Sequence, residues 1–221
     1  MTPEDILRRI DHTLLRATAS WAEIEKLCTE AIRYKTASVC VPPSYVKPIH
    51  ENFGSALVIC TVIGFPLGYS VRDAKIKEAE IALAEGAAEL DMVISLGDVK
   101  NGAFNKVEDE ISALKKTAGN KTLKVIIETC YLTKEEKIRL CGIVTAAGAD
   151  YIKTSTGFGT AGAALEDILL FKEHIGAGVK IKAAGGIKTR EDLETFINAG
   201  ADRIGTSSAV ALLAGGEASG Y

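Results

Sequence analysis

The sequence has no long hydrophobic run and no excess of basic residues. None of its apolar runs reaches the length of about 20 residues that a membrane-spanning helix needs. Its 26 lysines and arginines are outnumbered by 29 aspartates and glutamates, which gives a net charge of −3. A general nucleic-acid binder is normally basic overall or carries a clustered basic face. We therefore expect neither a membrane nor a nucleic acid as a partner.

The sequence also has no Cys-x-x-Cys pair and no spacing of histidines, cysteines and carboxylates that is typical of a zinc site. An odd number of cysteines favours a reducing compartment over a disulfide framework. The first nine residues include several charged side chains, and no apolar core followed by a cleavage site is present there. These observations predict a cytoplasmic protein without a metal ion. The five cysteines are Cys28, Cys40, Cys60, Cys130 and Cys141.

What the chain does have is a regular alternation of short apolar runs with longer amphipathic ones. With 221 residues, of which 47% are hydrophobic, it is large enough for a sizeable core, and we predict one domain over residues 1–221. Eight runs are candidate strands: Ile10–Leu14, Ala37–Val41, Leu57–Ile63, Ala88–Ile94, Leu123–Thr129, Tyr151–Thr154, Val179–Ala184 and Arg203–Thr206.

Helical patterns lie between these candidate strands. Thr189 is a plausible N-cap of the last one, where acidic residues follow at the positive end of the helix dipole. The patterns cover Trp21–Tyr34, Val71–Glu85, Phe104–Thr117, Lys134–Ala147 and Arg190–Ala199.

A weak internal repeat supports this alternation. Gly86, Gly148 and Gly200 each stand where a helix should end and a strand follows shortly after. Glycine adopts positive φ at little cost, so it lets the chain reverse into a sheet. Eight strand–helix units favour an α/β fold of the (β/α)8 TIM-barrel type. An open doubly wound sheet is the alternative, but no Gly-x-Gly-x-x-Gly motif supports its dinucleotide-binding form.

Three ionisable residues are expected to meet at the mouth of this barrel. Active sites of such barrels lie at the carboxyl ends of the strands, where Lys153, Lys182 and Asp91 fall. Lys180 shares the face of Lys182 but lies nearer the strand start. A buried lysine beside a second cation has a lowered pKa and becomes a nucleophile for carbonyl groups. The alternative interpretation is that the three residues form an internal ion-pair network.

A second group of residues predicts an anion site. Loops after strands seven and eight of such barrels commonly hold phosphate through backbone amides. Serine hydroxyls would add donors, and the loop after strand six would contribute from the other side. The candidate residues are Thr156, Gly157, Gly185, Gly186, Gly205, Ser207 and Ser208.

Six motifs in order give the chain a family resemblance. Together they resemble deoxyribose-phosphate aldolase from about Ile10 to the last residue. The resemblance implies a (β/α)8 class I aldolase that needs no metal or other cofactor. Its reaction is the reversible cleavage of 2-deoxy-D-ribose 5-phosphate to D-glyceraldehyde 3-phosphate and acetaldehyde. The motifs are IDHTLL, VIGFPLG, ELDMVI, KVIIETCYLT, YIKTSTGFG and KAAGGI.

The same resemblance implies roles for individual residues. Lys153 matches the Schiff-base lysine, Lys182 the second lysine and Asp91 the proton-relay aspartate. Tyr221 resembles a terminal tyrosine, on a mobile tail over residues 215–221, that assists proton transfer. Cys40 resembles a cysteine that aldehyde products trap. Pro42–Pro43 departs from the family's usual Asn-Pro pair, so a substrate contact at that point is in doubt.

The resemblance also implies a homodimer or homotetramer. Two other functions remain open at this point. One is a different class I aldolase or transaldolase, which would use a ketose fragment as donor where the first function uses acetaldehyde. The other is a catalytically silent sugar-phosphate-binding barrel, which would need the anion loops but no reactive amine.

Overall fold

A closed barrel of eight parallel strands forms the centre of the fold in the computed structural model, which describes residues 1–214. Each strand pairs with its neighbours in sequence, and the last strand pairs with the first. The predicted (β/α)8 barrel is confirmed, and the open sheet is excluded. The strands are β1 (Ile10–Thr13), β2 (Ser38–Val41), β3 (Ile59–Ile63), β4 (Glu89–Val93), β5 (Thr122–Ile126), β6 (Tyr151–Lys153), β7 (Lys180–Ala184) and β8 (Arg203–Thr206).

Ten helices surround or flank the barrel within the described residues. Their polar N-terminal residues define where several of them begin. Thr189 is the N-cap of the ninth helix, as predicted, and its hydroxyl accepts a hydrogen bond from the Asp192 amide. The helices are α1 (Pro3–Leu7), α2 (Trp21–Tyr34), α3 (Val46–Phe53), α4 (Arg72–Ala84), α5 (Leu96–Lys100), α6 (Phe104–Ala118), α7 (Lys134–Ala146), α8 (Leu165–His174), α9 (Arg190–Ala199) and α10 (Ala209–Ala214).

The three repeat glycines have the backbone conformation that their positions predict. Gly86, Gly148 and Gly200 have φ angles of 115°, 73° and 126°. Other residue types rarely adopt positive φ, so glycine lets the chain leave α4, α7 and α9 and enter the next strand.

Two apolar regions result from the alternation of side chains along the strands. The larger one lies between the outer face of the barrel and the helices, and it includes Ile24, Leu90 and Phe171. Inside the barrel a small cluster contains Leu15, Cys40, Cys60 and Val62. Much of the remaining interior is charged, because inward positions of several strands carry lysine, arginine or carboxylate side chains.

The predicted bounds of β3 and β5 differ most from the observed ones, and the other strands agree to within one residue at each end. β5 ends at Ile126, before the predicted Thr129, because Glu128 takes a left-handed conformation with φ 53° and ψ 67°. β3 begins at Ile59, after the predicted Leu57, which has an extended backbone but precedes the first paired residue. Among residues 1–214 no helix is both long and apolar enough to cross a membrane.

Candidate active site

Asp91 joins the two lysines that the sequence singled out. Its Oδ2 atom lies 2.7 Å from Nζ of Lys153 and 2.6 Å from Nζ of Lys182. Residues Lys153 and Lys182 are register partners on β6 and β7, and Asp91 reaches them from β4. All three side chains are buried. The structure therefore brings the three predicted catalytic residues into one contact network.

Lys124 is a third lysine of this network, and the sequence analysis missed it. Its Nζ atom lies 2.9 Å from Oδ1 of Asp91 and 2.6 Å from Oε2 of Glu89. Lys124 is fully buried on β5, where it is the register partner of Asp91. The signal was present in the sequence, because a lysine within the apolar run of β5 needs a charged partner as much as Lys153 does.

Asp11 is the second carboxylate that holds Lys182. Its Oδ2 atom lies 2.5 Å from Nζ of Lys182, and its Oδ1 atom accepts hydrogen bonds from Arg203 and from the Ser38 hydroxyl. Arg203 also lies 3.0 Å from Oε2 of Glu89. Sequence reasoning missed Asp11 as well, although an aspartate in the first barrel strand is unusual without a cationic partner.

The charges of this network stabilise one another. Burial by itself would lower the pKa of Lys182, but Asp11 and Asp91 outweigh it and raise that pKa well above its usual range. Burial would raise the pKa of Asp91, but Lys124, Lys153 and Lys182 hold it well below its usual range. Lys182 is thus a permanent cation beside Lys153, which agrees with the second positive charge that the sequence predicted.

The ion-pair network that was considered as an alternative interpretation therefore exists. It does not exclude a chemical role, because Lys153 differs from the other cations in its position. Lys153 lines the large pocket at the carboxyl ends of the strands, whereas Lys124, Lys182 and Arg203 are not among the residues that line it. Lys153 is the amine of the network that a ligand in this pocket would meet.

Cys40 lies inside the barrel next to this network. It is the register partner of Cys60. A hydrogen bond with Cys60 lowers the pKa of the Cys40 thiol in spite of its burial, and the charge of Lys182 acts in the same direction. Burial raises the pKa of the Cys60 thiol well above its usual value. Cys40 is therefore the more acidic thiol of the two.

These two cysteines and Asp91 also form a group whose potential ligand atoms lie within 4.8 Å of one another. The group does not fit a metal ion. The Asp91 carboxylate already contacts three ammonium groups, and Lys124 lies 3.2 Å from Sγ of Cys60. A metal cation would have to displace these positive charges.

The pocket above Lys153 has a volume of about 540 Å³. It is lined by all seven residues that were predicted to bind an anion. The sequence analysis missed one further lining residue with a positive charge, Lys188, which follows the Gly185–Gly186 turn. Its position two residues after a glycine pair at a strand end could have identified it. Backbone amides and the ammonium group of Lys188 suit a phosphate.

Thr156 contributes to this pocket differently from the prediction. Its amide and its hydroxyl both donate hydrogen bonds to the carboxylate of Glu128, so neither is free to donate to a ligand. Thr156 therefore shapes the pocket through its position. The adjacent Gly157, with φ 87°, remains as the backbone group of this loop at the pocket wall. Nothing in the sequence around Glu128 indicated its contact with Thr156.

Gly205 also has a role beyond the predicted one. A Cβ atom at this position would lie 3.1 Å from Cε of Lys182 and 3.2 Å from Cβ of Ala184. Gly205 therefore leaves room for the buried lysine. Gly162, which was not identified from the sequence, packs more closely still, because its Cβ would lie 2.2 Å from the carbonyl oxygen of Gly185.

The remaining predicted residues lie apart from this pocket or outside the described chain. His12 is buried on β1, and its Nε2 atom lies 2.9 Å from Oε2 of Glu30. His50 and His174 lie on α3 and α8. Pro43 begins a 3-10 helix after β2. Tyr221 and the tail over residues 215–221 lie outside the described residues.

Comparison with known proteins identifies close relatives. A family profile described as DeoC/LacD family aldolase matches residues 6–216. A protein of Clostridium botulinum named deoxyribose-phosphate aldolase is 62% identical over 221 residues, which covers 100% of both chains. A protein of the same name from Clostridioides difficile is 54% identical and covers 98% of this chain and 99% of its own length.

Similarity to a solved structure indicates the same family as the sequence relatives do. The structure titled as the unique tetrameric structure of deoxyribose phosphate aldolase from Aeropyrum pernix has a TM-score of 0.90 and 35% sequence identity. The match covers 96% of this chain and 91% of that one. The profile match extends over most of the chain, and the first relative matches it from end to end. The chain belongs to the DeoC/LacD family of aldolases.

Proposed function

We propose that this chain is a deoxyribose-phosphate aldolase that cleaves 2-deoxy-D-ribose 5-phosphate reversibly to D-glyceraldehyde 3-phosphate and acetaldehyde. The observation that carries the proposal is the position of Lys153. Its Nζ atom contacts Asp91, which Lys182 also holds, and its side chain lines a pocket with glycine-rich loops and Lys188. The relatives from Clostridium botulinum and Clostridioides difficile carry the name of this activity.

The charge balance of the network supports a nucleophilic amine. Four cations contact three carboxylates in this network. The cations are Lys124, Lys153, Lys182 and Arg203, and the carboxylates are those of Asp11, Glu89 and Asp91. Positive charge is therefore in excess within these contacts. Among these cations Lys153 is the one that lines the pocket, so it is the amine that can react with a carbonyl group there.

The chemistry begins with attack of the neutral Lys153 amine on the C1 carbonyl of the open-chain sugar. The resulting carbinolamine loses water to form a protonated imine, and Asp91 relays protons during this step. The C3 hydroxyl then passes its proton through water to Asp91 while the C2–C3 bond breaks and its electron pair moves into the imine. The products are glyceraldehyde 3-phosphate and an enamine on Lys153.

Protonation of the enamine carbon and hydrolysis of the imine release acetaldehyde and restore the amine. The positive charge of Lys182 stabilises the electron-rich states that follow. In the resemblance, Tyr221 assists the protonation of the enamine carbon, and this role stays a prediction. We also propose that the phosphate binds between Gly157, Gly185–Gly186 and Lys188, with no metal ion involved.

The test is capture of the imine. Acetaldehyde and borohydride should leave an ethyl group on Lys153, which peptide mass analysis locates, and Lys182 should stay unmodified. Lys153→Leu should abolish both the adduct and the cleavage of 2-deoxyribose 5-phosphate in a coupled assay. Lys182→Leu should eliminate turnover or shift it to higher pH.

The outcomes separate the competing functions. An adduct with a ketose donor and none with acetaldehyde would favour another class I aldolase or a transaldolase. Phosphate binding without any adduct would favour a silent binding barrel. Loss of activity in the presence of a chelator would contradict the metal-free mechanism.

We propose further that the chain forms a cytoplasmic homodimer or homotetramer. The relative from Aeropyrum pernix is described as tetrameric. Size-exclusion chromatography with light scattering measures the mass of the assembly, and a monomer would contradict this proposal.

A further inference from the structure

Glu128 is a buried carboxylate that the mechanism above does not use. Its side chain is 2% exposed, and burial raises the pKa of its carboxyl group. The salt bridges among residues 1–214 do not include it, whereas Asp11, Glu89 and Asp91 each contact a cation. A carboxylate kept in such a place needs hydrogen bonds to offset its lost hydration.

Thr156 supplies these hydrogen bonds. Its amide nitrogen lies 3.1 Å and 3.3 Å from the two carboxylate oxygens of Glu128, and its hydroxyl donates to Oε2. The same hydroxyl oxygen accepts a hydrogen bond of 3.0 Å from the Phe158 amide. Glu128 thus fixes the backbone on both sides of Gly157 through one threonine.

The loop beyond Gly157 passes directly over the carboxylate. A Cβ atom at Gly159 would lie 3.1 Å from Oε1 of Glu128 and 2.9 Å from Sγ of Cys130. Glu128 also has φ 53° and ψ 67°, a left-handed conformation that non-glycine residues adopt only when their surroundings impose it. The close approach and the unusual backbone conformation are both explained if the side chain must reach the loop after β6.

We propose that Glu128 is a positioning residue that holds the Thr156–Gly159 loop so that Gly157 meets the phosphate group of the substrate. This inference rests on the proposed function for the identity of the substrate. Glu128 acts through Thr156 and does not touch the ligand, since Thr156 and Gly157 line the pocket and Glu128 does not. Its hydrogen bonds act on the loop at the phosphate end of the substrate. Burial and the hydrogen bonds from Thr156 affect the pKa of Glu128 more than the charge of Lys153 does, so we expect the main effect of a change at Glu128 at the phosphate end.

Glu128→Gln tests the proposal, because glutamine keeps the size but has one acceptor oxygen in place of two. It should raise the KM for 2-deoxyribose 5-phosphate about tenfold, the effect of a lost hydrogen bond to a charged group, with kcat within about twofold. The kcat/KM for 2-deoxyribose, which lacks the phosphate, should stay at the wild-type value. A purely structural defect would lower the rates with both sugars.

Variants of Thr156 identify the route of the effect. Thr156→Val removes the hydroxyl and should raise the same KM, while Thr156→Ser should restore the wild-type value. The double variant Glu128→Gln/Thr156→Val should resemble the single variants, because both changes break one contact. Glu173→Gln, whose side chain is 77% exposed, is the matched control and should change nothing.

Calorimetric titration with inorganic phosphate separates this inference from the proposed function. Glu128→Gln should weaken phosphate binding about tenfold even if the wild-type protein does not cleave the sugar phosphate. That outcome would contradict the proposed function but would still support the positioning role of Glu128. Wild-type phosphate affinity in Glu128→Gln, or equal losses with the phosphorylated and unphosphorylated sugars, would overturn the positioning role.

Discussion

Lys182 shows at the residue scale how a buried charge is accommodated. Two carboxylates, Asp11 and Asp91, compensate its charge at distances of 2.5 Å and 2.6 Å. Its methylene chain fits because residue 205 is glycine. A buried ammonium needs both conditions, since an unpaired charge or an overlapping atom would each be costly.

Gly205→Ala should displace Lys182. The backbone at this position accepts alanine, but its Cβ would lie 3.1 Å from Cε of Lys182 and 3.2 Å from Cβ of Ala184. We expect a loss of stability of about 1–3 kcal/mol from overpacking. We also expect kcat to fall by up to about 10²-fold, because a displacement of the order of 1 Å has this effect on catalytic geometry. Urea unfolding and steady-state kinetics measure the two quantities.

Gly142→Ala is the matched control on α7, where a Cβ would meet no atom within 4 Å. It should stabilise the protein by roughly 0.5–1 kcal/mol, because alanine is the better helix former. Its kcat should equal that of the wild type. A Gly205→Ala variant with normal kcat would show that Lys182 has more room than the structure gives it.

At the scale of the element, α9 connects helix capping with the anion pocket. Asp192 accepts hydrogen bonds from the amides of Lys188 and Thr189 at 3.0 Å and 2.9 Å. The hydrogen bond from the Lys188 amide is the main reason why the pKa of Asp192 lies below its ordinary value. The capping box therefore fixes the backbone of a residue that lines the pocket.

Asp192→Ala should weaken both the helix start and the pocket. We expect a loss of stability of about 1 kcal/mol, which is typical of a lost cap, and a higher KM with little change in kcat. Thermal unfolding and steady-state kinetics provide the measurements. Glu136→Ala removes the corresponding residue of the α7 capping box, away from the pocket. It should lower stability by a similar amount without a change in KM, and equal KM values in the two variants would refute the link.

The elements themselves were predictable from sequence to different degrees. All eight strands were found because apolar runs, glycine stops and helical periods recur regularly. The ends of β3 and β5 were placed wrongly for different reasons. Leu57 has an extended backbone but lies before the first paired residue of β3, whereas Glu128 fits a strand pattern by composition and takes a left-handed conformation in the structure. The contact between Glu128 and Thr156 explains the early end of β5.

At the scale of the whole molecule, a charged network closes the barrel. Arg203 on β8 contacts Asp11 on β1 and Glu89 on β4, so side chains as well as backbone hydrogen bonds join the ends of the sheet. The pKa of Asp11 lies well below its ordinary value of 3.8, because Lys182, Lys124 and Arg203 outweigh the effect of burial. The pKa of Asp91 also lies well below its ordinary value.

These shifts predict that the protein loses stability in acid. Below about pH 4 the unfolded chain binds protons at these two aspartates while the folded protein does not, so stability falls as the pH falls. Urea unfolding midpoints measured from pH 6 down to pH 3 give the slope. Asp11→Asn should make this slope shallower, and it should destabilise the protein at pH 7 by about 3–5 kcal/mol, since it breaks a buried ion pair.

Asp73→Asn is the control for this experiment, because the Asp73 side chain is 82% exposed. Its acid slope should match that of the wild type. If Asp11→Asn kept the full slope, Asp11 would not contribute to the acid sensitivity.

The sequence by itself determined the barrel and the strands that carry Lys153, Lys182 and Asp91, and it identified the loops that line the pocket. Lys182 and Asp91 lie below the mouth where the sequence placed them, because both are fully buried and only Lys153 lines the pocket. Strand alternation and strand direction fix the face and the end at which a side chain lies, and both can be read from local order. Only the tertiary structure decided which charges meet. Lys182 and Asp91 are 91 positions apart in sequence, and Lys124, Asp11 and Glu128 join the site because barrel closure brings distant strand ends together.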